Sequence, residues 1–291
     1  MVATSLRNFR IAVIVSAIMF CFAVNSVITR YLVLVSQVSP FLVTMIRFVS
    51  GLVTLLILGW LGPSDFRHDR PSRSYLAGAL FLGAYAFSIS YGYVFISVAA
   101  GTFIFYTFVV VTMVAYSLIH DKEKLTNRSA LGLLLGLSGV LVITFGGIHA
   151  VTLFGVLLMA VTGASWGLYS AYGRRFQVAF SYTYNSFLIL GIAIVLASAV
   201  LGLSGQLNTN GISVRDLGLA LYMGMVSTAL SYVFWNRTLR EIPASVGGLV
   251  QLIVPVLAPA MGIVLLGEQL TLSLVIGGGL VLSGIYLARS K

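Results

Sequence analysis

The chain has 291 residues, of which 59% are hydrophobic and 8% are charged, and its mean hydropathy is +1.05. A chain of this composition has too little polar surface for a soluble globule, so the sequence predicts an integral membrane protein. The net charge of +10 is carried by basic residues between the apolar runs; we interpret it as a topology signal and as contact with anionic lipids, not as nucleic-acid binding.

Ten apolar segments follow one another along the chain, and each is of the length that a transmembrane helix needs, about 20 residues. They cover residues 11–33, 38–60, 75–95, 100–119, 129–147, 153–172, 181–203, 217–238, 244–266 and 270–288. The first segment is too long for a signal-peptide core, so we predict that it is the first helix. The single cysteine, Cys21, lies within it, which excludes an intrachain disulfide.

The basic residues predict the orientation of these helices, because Lys and Arg are retained on the cytoplasmic side of a membrane. We place the amino terminus inside and let ten helices alternate. All 17 Lys and Arg residues except Arg30, Arg47 and Arg215 then fall in cytoplasmic segments. We therefore predict an even number of helices, with both termini in the cytoplasm.

The two halves of the chain resemble each other. The segment Glu123-Lys-Leu-Thr, followed by Leu-Ser-Gly at 137–139, recurs 145 residues later as Glu268-Gln-Leu-Thr and Leu-Ser-Gly at 282–284. The sequence thus predicts two repeats of five helices, residues 1–149 and residues 150–291. Because five is odd, the second repeat is inverted relative to the first, an arrangement typical of secondary transporters.

These motifs resemble the EamA branch of the drug/metabolite transporter superfamily. In each half an acidic residue and Leu-Thr precede a Gly-rich helix with Leu-Ser-Gly, and the ninth segment follows Pro243 and contains Pro255 and Pro259. The resemblance covers essentially the whole chain. It implies ten helices, a central cavity lined by helices 1, 3, 4, 6, 8 and 9, and export of small metabolites. The aromatic-rich segments are also similar to those of aromatic amino-acid exporters of the YddG type.

Polar and amphipathic side chains deep in the helices of the implied cavity are the candidate substrate-binding residues, because such groups need a polar partner inside a membrane. They are Asn25, Tyr85, Tyr106, Trp166, Tyr169 and Gln251. The repeat pairs Asn25 with Tyr169 and Tyr106 with Gln251, as expected for a site between symmetry-related halves. Hydrogen bonding between helices, without a ligand, explains each residue equally well.

Arg47 lies near the middle of the second predicted helix, where an arginine costs at least about 2.5 kcal/mol on insertion scales. It therefore needs a partner or a wet cavity. One interpretation makes it the anchor for a substrate carboxylate. The interpretation we favour here, because helix 2 lies outside the implied cavity, is a structural contact with carbonyl groups or with an acid such as Glu268. Trp235, close to Arg237, is assigned to an interfacial aromatic belt.

The sequence lacks a phosphate-binding glycine loop, a credible metal cluster and a carboxylate deep in a helix. We therefore expect no cofactor, no metal and no enzymatic activity. The prediction is a monomeric, multi-pass inner-membrane transporter that exports small amphipathic metabolites, with aromatic or apolar amino acids favoured, down the substrate gradient. The alternatives are export of drugs or phosphorylated metabolites and, less favoured, an intramembrane enzyme or a scaffold.

Overall fold

A computed structural model describes residues 2–62, 66, 68–120, 127–145, 152–207, 212–241, 247–248 and 250–288; for residues 2–12, 129, 144–145, 252, 285 and 288 it describes the backbone. Within this part of the chain the fold is all-helical. The helices are α1 (Val2–Arg30), α2 (Pro40–Leu61), α3 (Leu76–Phe95), α4 (Val98–His120), α5 (Asn127–Phe145), α6 (Leu153–Gly173), α7 (Ala179–Leu203), α8 (Val214–Leu239), α9 (Val254–Leu266) and α10 (Leu272–Ala288).

The prediction of an all-helical protein with one helix for each of the ten apolar segments is confirmed. Among the described residues, seven helical stretches are long and apolar enough to cross a membrane, and shorter apolar stretches lie in α5, α9 and α10. The start of the ninth predicted helix, expected near residue 244, lies outside the described residues, and residues 247–248 and 250 are helical. A 3-10 turn, Gln251–Ile253, follows them and leads into α9, and Pro255 lies in the first turn of α9, where the amide hydrogen that proline lacks is not needed.

Polar side chains fix the starts of several helices. The Thr152 hydroxyl accepts a hydrogen bond from the amide of Gly155 at 3.0 Å at the start of α6. At the start of α8, Ser213 and Asp216 form a capping box, in which each side chain accepts from the backbone of the other residue. Such caps supply acceptors for the first amides of a helix, which have no partner within it. The polar residues between the apolar segments therefore set where the helices begin.

The middle of α8 is widened into π-helical turns over Met223–Leu230. There α8 lies against the backbone of α2: a Cβ atom on Gly224 would collide with the carbonyl oxygen of Arg47 and the hydroxyl of Ser50. Wide turns of this kind occur in short stretches and frequently at functional sites. Here the close approach, which only glycine permits, holds α8 directly beside Arg47.

Helices α5 and α10 pack backbone against backbone. A Cβ on Gly139 would lie 2.5 Å from the carbonyl oxygen of Gly277, and one on Gly277 would lie 2.7 Å from the carbonyl oxygen of Gly139. Further along α10, Gly284 faces the carbonyl oxygen of Gly132, which is earlier on α5. The two helices are therefore antiparallel. Glycine contacts of this kind let membrane helices approach closely.

The remaining helices surround the centre of the molecule. α1 packs against α8 and α9, α6 packs against α3 and α4, and α2 packs against α7. Large buried side chains from these helices, among them Phe22, Tyr85, Trp166 and Tyr232, meet in the middle. This aromatic centre contains the candidate site.

Candidate functional site

A central cavity lies between α1, α3, α4, α6 and α8, five of the six helices implied by the family resemblance. It is lined by Phe22, Asn25, Ser26, Tyr85, Ile89, Phe105, Tyr106, Trp166 and Tyr232. The space between its walls is about 220 Å³, but the centre of a water-sized sphere can move within only about 10 Å³ of it. The cavity therefore has room for about one water molecule. The structure thus brings Asn25, Tyr85, Tyr106 and Trp166 together around one narrow cavity.

Trp166 is the middle of the aromatic packing. Its ring centroid lies 5.2 Å from that of Tyr85 and 4.6 Å from that of Tyr232, and Phe22 meets it edge-on at 5.5 Å. Its Nε1 donates a hydrogen bond of 2.8 Å to Oε1 of Gln251. The indole thereby satisfies its one donor and holds one orientation against the cavity.

Gln251 and Tyr169 lie behind the cavity wall. Gln251 is fully buried and its Nε2 donates to the carbonyl oxygen of Gly247 at 3.3 Å. Tyr169 stacks on Trp166 with centroids 5.5 Å apart, and its hydroxyl accepts from Nδ2 of Asn236 at 3.3 Å. These two predicted residues position Trp166 and do not line the cavity.

Arg47 is 0% exposed, and its contacts differ from those expected. Nη2 donates to the hydroxyls of Tyr85 at 2.9 Å and Tyr232 at 2.8 Å, and Nε donates to Oγ1 of Thr228 at 2.7 Å. The expected pairing with Glu268 is wrong, because that carboxylate lies beside Arg30 instead. Arg47 on α2 thus reaches the central cavity through two tyrosines that line it.

The Arg30–Glu268 pair joins several helices at one end of the molecule. Arg30 Nε lies 3.5 Å from Glu268 Oε1, and Arg30 Nη1 donates to the carbonyl oxygen of Tyr93. Glu268 also accepts from the amide of Val98 at 2.9 and 3.0 Å. A carboxylate at this position is stabilised by the positive end of the helix dipole of α4. The pair therefore fastens α1, α3, α4 and the turn before α10 together.

A second cavity, of about 330 Å³, lies at the opposite end of α4. It is lined by Tyr116, His120, Ala171, Arg174, Arg175 and Arg240, and we call it the basic cavity. The Arg175 guanidinium lies 2.9 Å from Nδ1 of His120 and over the rings of Tyr116 and Tyr172, each 5.5 Å from its Cζ. Along α4 the order is thus the Arg30–Glu268 pair, the central cavity and the basic cavity.

Two assignments from the sequence missed the part that α8 plays. Tyr232 was not among the candidate residues chosen from the sequence, yet it lines the central cavity. The wide turns of Met223–Leu230 take more residues per unit of helix length than an α-helix does, so residue counting places Tyr232 too far along. The assignment of Trp235 to an interfacial belt is wrong: it is fully buried and donates to Ser170 at 3.2 Å.

Among the described residues, an all-helical fold with seven apolar helices long enough to cross a membrane defines a multi-pass membrane protein. Within that class the chain belongs to the EamA-like transporter family, whose model matches residues 10–145 and again residues 153–290. The resemblance found in the sequence is confirmed.

Relatives of the chain include an uncharacterized protein of Pseudomonas aeruginosa, 34% identical over 270 residues that cover 92% of this chain and 91% of the relative. An uncharacterized transporter of Archaeoglobus fulgidus is 26% identical and covers 87% of this chain and 90% of its own length. The uncharacterized transporter YoaV of Bacillus subtilis is 26% identical, with 87% and 88% covered. A protein of known crystal structure, 20% identical, matches 94% of this chain and 95% of its own with a TM-score of 0.67, so it shares the fold.

Proposed function

We propose that the protein is a secondary transporter of the inner membrane that exports small amphipathic metabolites by alternating access about the central cavity. Aromatic or apolar amino acids are the favoured substrates. The observation that carries this proposal is the central cavity itself, in which aromatic rings from five helices face a few polar groups. Sites for small ligands combine apolar walls with a small number of positioned polar atoms in this way.

The narrowness of the central cavity bears on the mechanism. A pocket for a small ligand occupies several hundred Å³, and the central cavity is smaller than that. Substrate binding therefore requires the helices that line it to move apart. In the proposed cycle this structure is a closed state, between states that open to one side of the membrane or the other.

Three observations support two inverted repeats with the predicted boundaries. The family model matches the chain twice. The contacts of α1 with α8 and α9 have counterparts in those of α6 with α3 and α4, as a twofold relation between the halves requires. The last helices of the halves, α5 and α10, run antiparallel through Gly139 and Gly277. Inverted repeats provide two equivalent arrangements of one fold, which is the basis of alternating access.

The basic cavity supports the predicted orientation. Arg174, Arg175 and Arg240 line it, and all three lie in segments that the charge distribution assigns to the cytoplasm. The cavity would then be the cytoplasmic approach to the central site, and the Arg30–Glu268 pair would close the external end. Its charge also favours the second candidate function, transport of phosphorylated metabolites, over export of cationic drugs.

Counterflow in liposomes tests the proposed function. Purified protein is reconstituted with each of the twenty amino acids, several lipophilic cations and a sugar phosphate inside, and accumulation of the labelled compound is measured. We expect accumulation of Phe, Tyr, Trp or large apolar amino acids without an imposed ion gradient. A strict requirement for a proton or sodium gradient would contradict the facilitated mechanism, and a response confined to lipophilic cations would contradict the amino-acid assignment.

Matched aromatic substitutions link transport to the central cavity. Trp166→Ala and Tyr106→Ala remove walls of the cavity and should reduce counterflow at least about tenfold, the scale expected when a large aromatic contact is lost. Trp60→Ala and Tyr286→Ala are the controls, because these rings are 84% and 69% exposed. Equal counterflow by all four well-folded variants would remove the central cavity from the transport path.

A further inference from the structure

We propose that Arg47 recognises an anionic group of the transported molecule, so that the substrate must carry a carboxylate. The inference rests on the proposed transport function and adds the chemical class of its substrate. The sequence alone favours a structural role for Arg47, and the inference reverses that preference.

The charge of Arg47 is not compensated by a carboxylate in the described part of the chain. Its donors reach only neutral hydroxyl groups, on Tyr85, Thr228 and Tyr232, and Nη1 has no hydrogen-bond partner among the described residues. A buried guanidinium without a counter-ion is unfavourable and is normally retained only for function. A negatively charged ligand would supply the missing charge.

The two tyrosines connect Arg47 to the central cavity. Tyr85 and Tyr232 both line it, and their hydroxyls lie 2.9 Å apart. Each accepts a hydrogen bond from the guanidinium, which polarises the hydroxyl and makes it a stronger donor. Tyr232 donates its proton to the Tyr85 hydroxyl, so a carboxylate that accepts from Tyr85 lies one hydrogen bond away from the positive charge.

A second unpartnered atom complements the first. Asn25 lines the same cavity and donates to the Tyr85 hydroxyl at 3.4 Å, while its Oδ1 has no partner among the described residues. Arg47 and Asn25 both donate to the Tyr85 hydroxyl, and they leave a free donor on Arg47 and a free acceptor on Asn25. A carboxylate facing Arg47 and an ammonium group facing Asn25 match this pair, so an α-amino acid satisfies both. The rings of Phe22, Phe105 and Trp166 remain for its side chain.

The position of Arg47 is fixed before any ligand arrives. Thr228, in the wide turns of α8, accepts from Nε at 2.7 Å, and the guanidinium carbon lies 5.1 Å from the ring centre of Phe48 and 5.3 Å from that of Tyr85. Aromatic faces attract cations at such distances. A group held by neutral neighbours from two helices is preorganised for an anion and loses little freedom when it binds one.

The basic cavity gives independent support for an anionic group on the substrate. α4 and α6 line both cavities, and Arg240 of the basic cavity directly follows α8. About 15 Å of helix separates Tyr106 from Tyr116. Arginine side chains line the basic cavity and no acidic side chain is among its described lining residues. Cavities lined by one sign of charge raise the local concentration of the opposite charge. An anion is thus favoured at both positions along the same helices.

The test compares ligands that differ in one group. The unfolding temperature of purified protein is measured with increasing concentrations of phenylalanine, phenylalanine amide, phenethylamine and 3-phenylpropionate, and with leucine and leucine amide. The proteins are wild type, Arg47→Gln, Arg47→Lys and the control Arg215→Gln, which removes an exposed arginine that stacks on Tyr31. Counterflow is measured for the same compounds.

We expect the carboxylates to stabilise the wild type and the control, and the amides and the amine to do so at least about tenfold more weakly. Arg47→Gln should lose this preference, and Arg47→Lys should keep part of it. If Arg47→Gln does not fold, the comparison of acids with amides and amine on the wild-type protein tests the inference. Amides or amines that bind as tightly as the acids, or carboxylates that do not stabilise the wild type, would overturn the inference. Selective carboxylate binding without counterflow would instead overturn the proposed transport function and leave the Arg47 site standing.

Discussion

The hydrogen bond between Trp166 and Gln251 sets the shape of the central cavity. The indole donor has one acceptor, Gln251 Oε1 at 2.8 Å, and both residues belong to the second half of the chain. Three neighbouring rings, Phe22, Tyr85 and Tyr232, then pack against the indole. The amide therefore acts on the cavity through the ring that it orients.

Gln251→Leu should lower the free energy of unfolding by roughly 1 kcal/mol and weaken substrate binding, because the buried indole donor loses its acceptor. Chemical denaturation in detergent and counterflow measure the two effects. Gln206→Leu is the control, since Gln206 is exposed between α7 and α8. The same loss of stability in both variants would show that the hydrogen bond of Trp166 to Gln251 does not account for the change in the free energy of unfolding.

Individual site residues were predictable where burying a polar atom in the membrane costs free energy whatever the tertiary structure is. Asn25, Tyr85, Tyr106 and Trp166 each carry a polar atom deep in an apolar segment, and all four line the central cavity. Arg47 carries the largest such cost, yet its partners were not predictable. Its contacts with Tyr85, Thr228 and Tyr232 depend on how α2 and α8 pack, and no local pattern in the sequence reports that.

Among the helices, the antiparallel α5–α10 contact depends on the absence of side chains. Gly139 and Gly277 face each other's carbonyl oxygens, so neither can gain a methyl group unless the helices move apart. Gly279, in the same run of three glycines, has no neighbouring atom within 4 Å of the position that a Cβ would take. The run therefore contains one glycine needed for packing and one that is not.

Gly277→Ala should destabilise the protein by roughly 1–3 kcal/mol through overpacking. Gly279→Ala should be neutral or stabilising by up to about 1 kcal/mol, because alanine is the better helix former. Thermal unfolding of the two variants in the same detergent measures the difference. Equal stability would mean that the α5–α10 contact is looser than the structure describes.

The presence of the helices was predictable because ten apolar runs of membrane length exclude other structures. The local geometry within the helices was not predictable. The wide turns of Met223–Leu230 in α8 depend on the fit of Gly224 against Arg47 and Ser50, which is a tertiary contact. The 3-10 turn Gln251–Ile253 that precedes α9 was not predicted either.

For the molecule as a whole, the Arg30–Glu268 pair lies at one end of α4 and the basic cavity at the other. The apolar segments are the same whichever end is closed. Hydropathy and charge distribution therefore predict the helices and favour an orientation, but they cannot distinguish one conformation from another. The inverted repeats and the cytoplasmic termini remain predictions that the packing supports.

Glu268→Gln should favour opening at the end that carries the pair. The variant loses the charge that pairs with Arg30 and stabilises the start of α4, so roughly 1 kcal/mol is lost and opening becomes about fivefold more frequent. The reporter is Ser26→Cys in a Cys21→Ala background, since Ser26 lines the central cavity and is 1% exposed. Its labelling rate by a membrane-impermeant maleimide, added from outside to intact cells, is measured.

The control for this experiment is Glu241→Gln, an exposed carboxylate after α8. It should leave the labelling rate of Ser26→Cys unchanged. An unchanged rate in Glu268→Gln as well would show that the pair does not hold that end closed. Faster labelling only from the cytoplasmic side of inverted vesicles would reverse the predicted orientation.

The carboxylate of Glu268 contacts both an arginine and the start of a helix: it faces Arg30, and it accepts hydrogen bonds from the amides of Val98 and Ala99 in α4. If it moves away, the ion pair is lost and the first turn of α4 loses its acceptors in the same step. A partial displacement loses most of this stabilisation and gains no new contact, so intermediate positions are disfavoured. We expect opening at this end to be cooperative: the helices separate in one all-or-none event, and the dwell times of the closed state follow a single exponential.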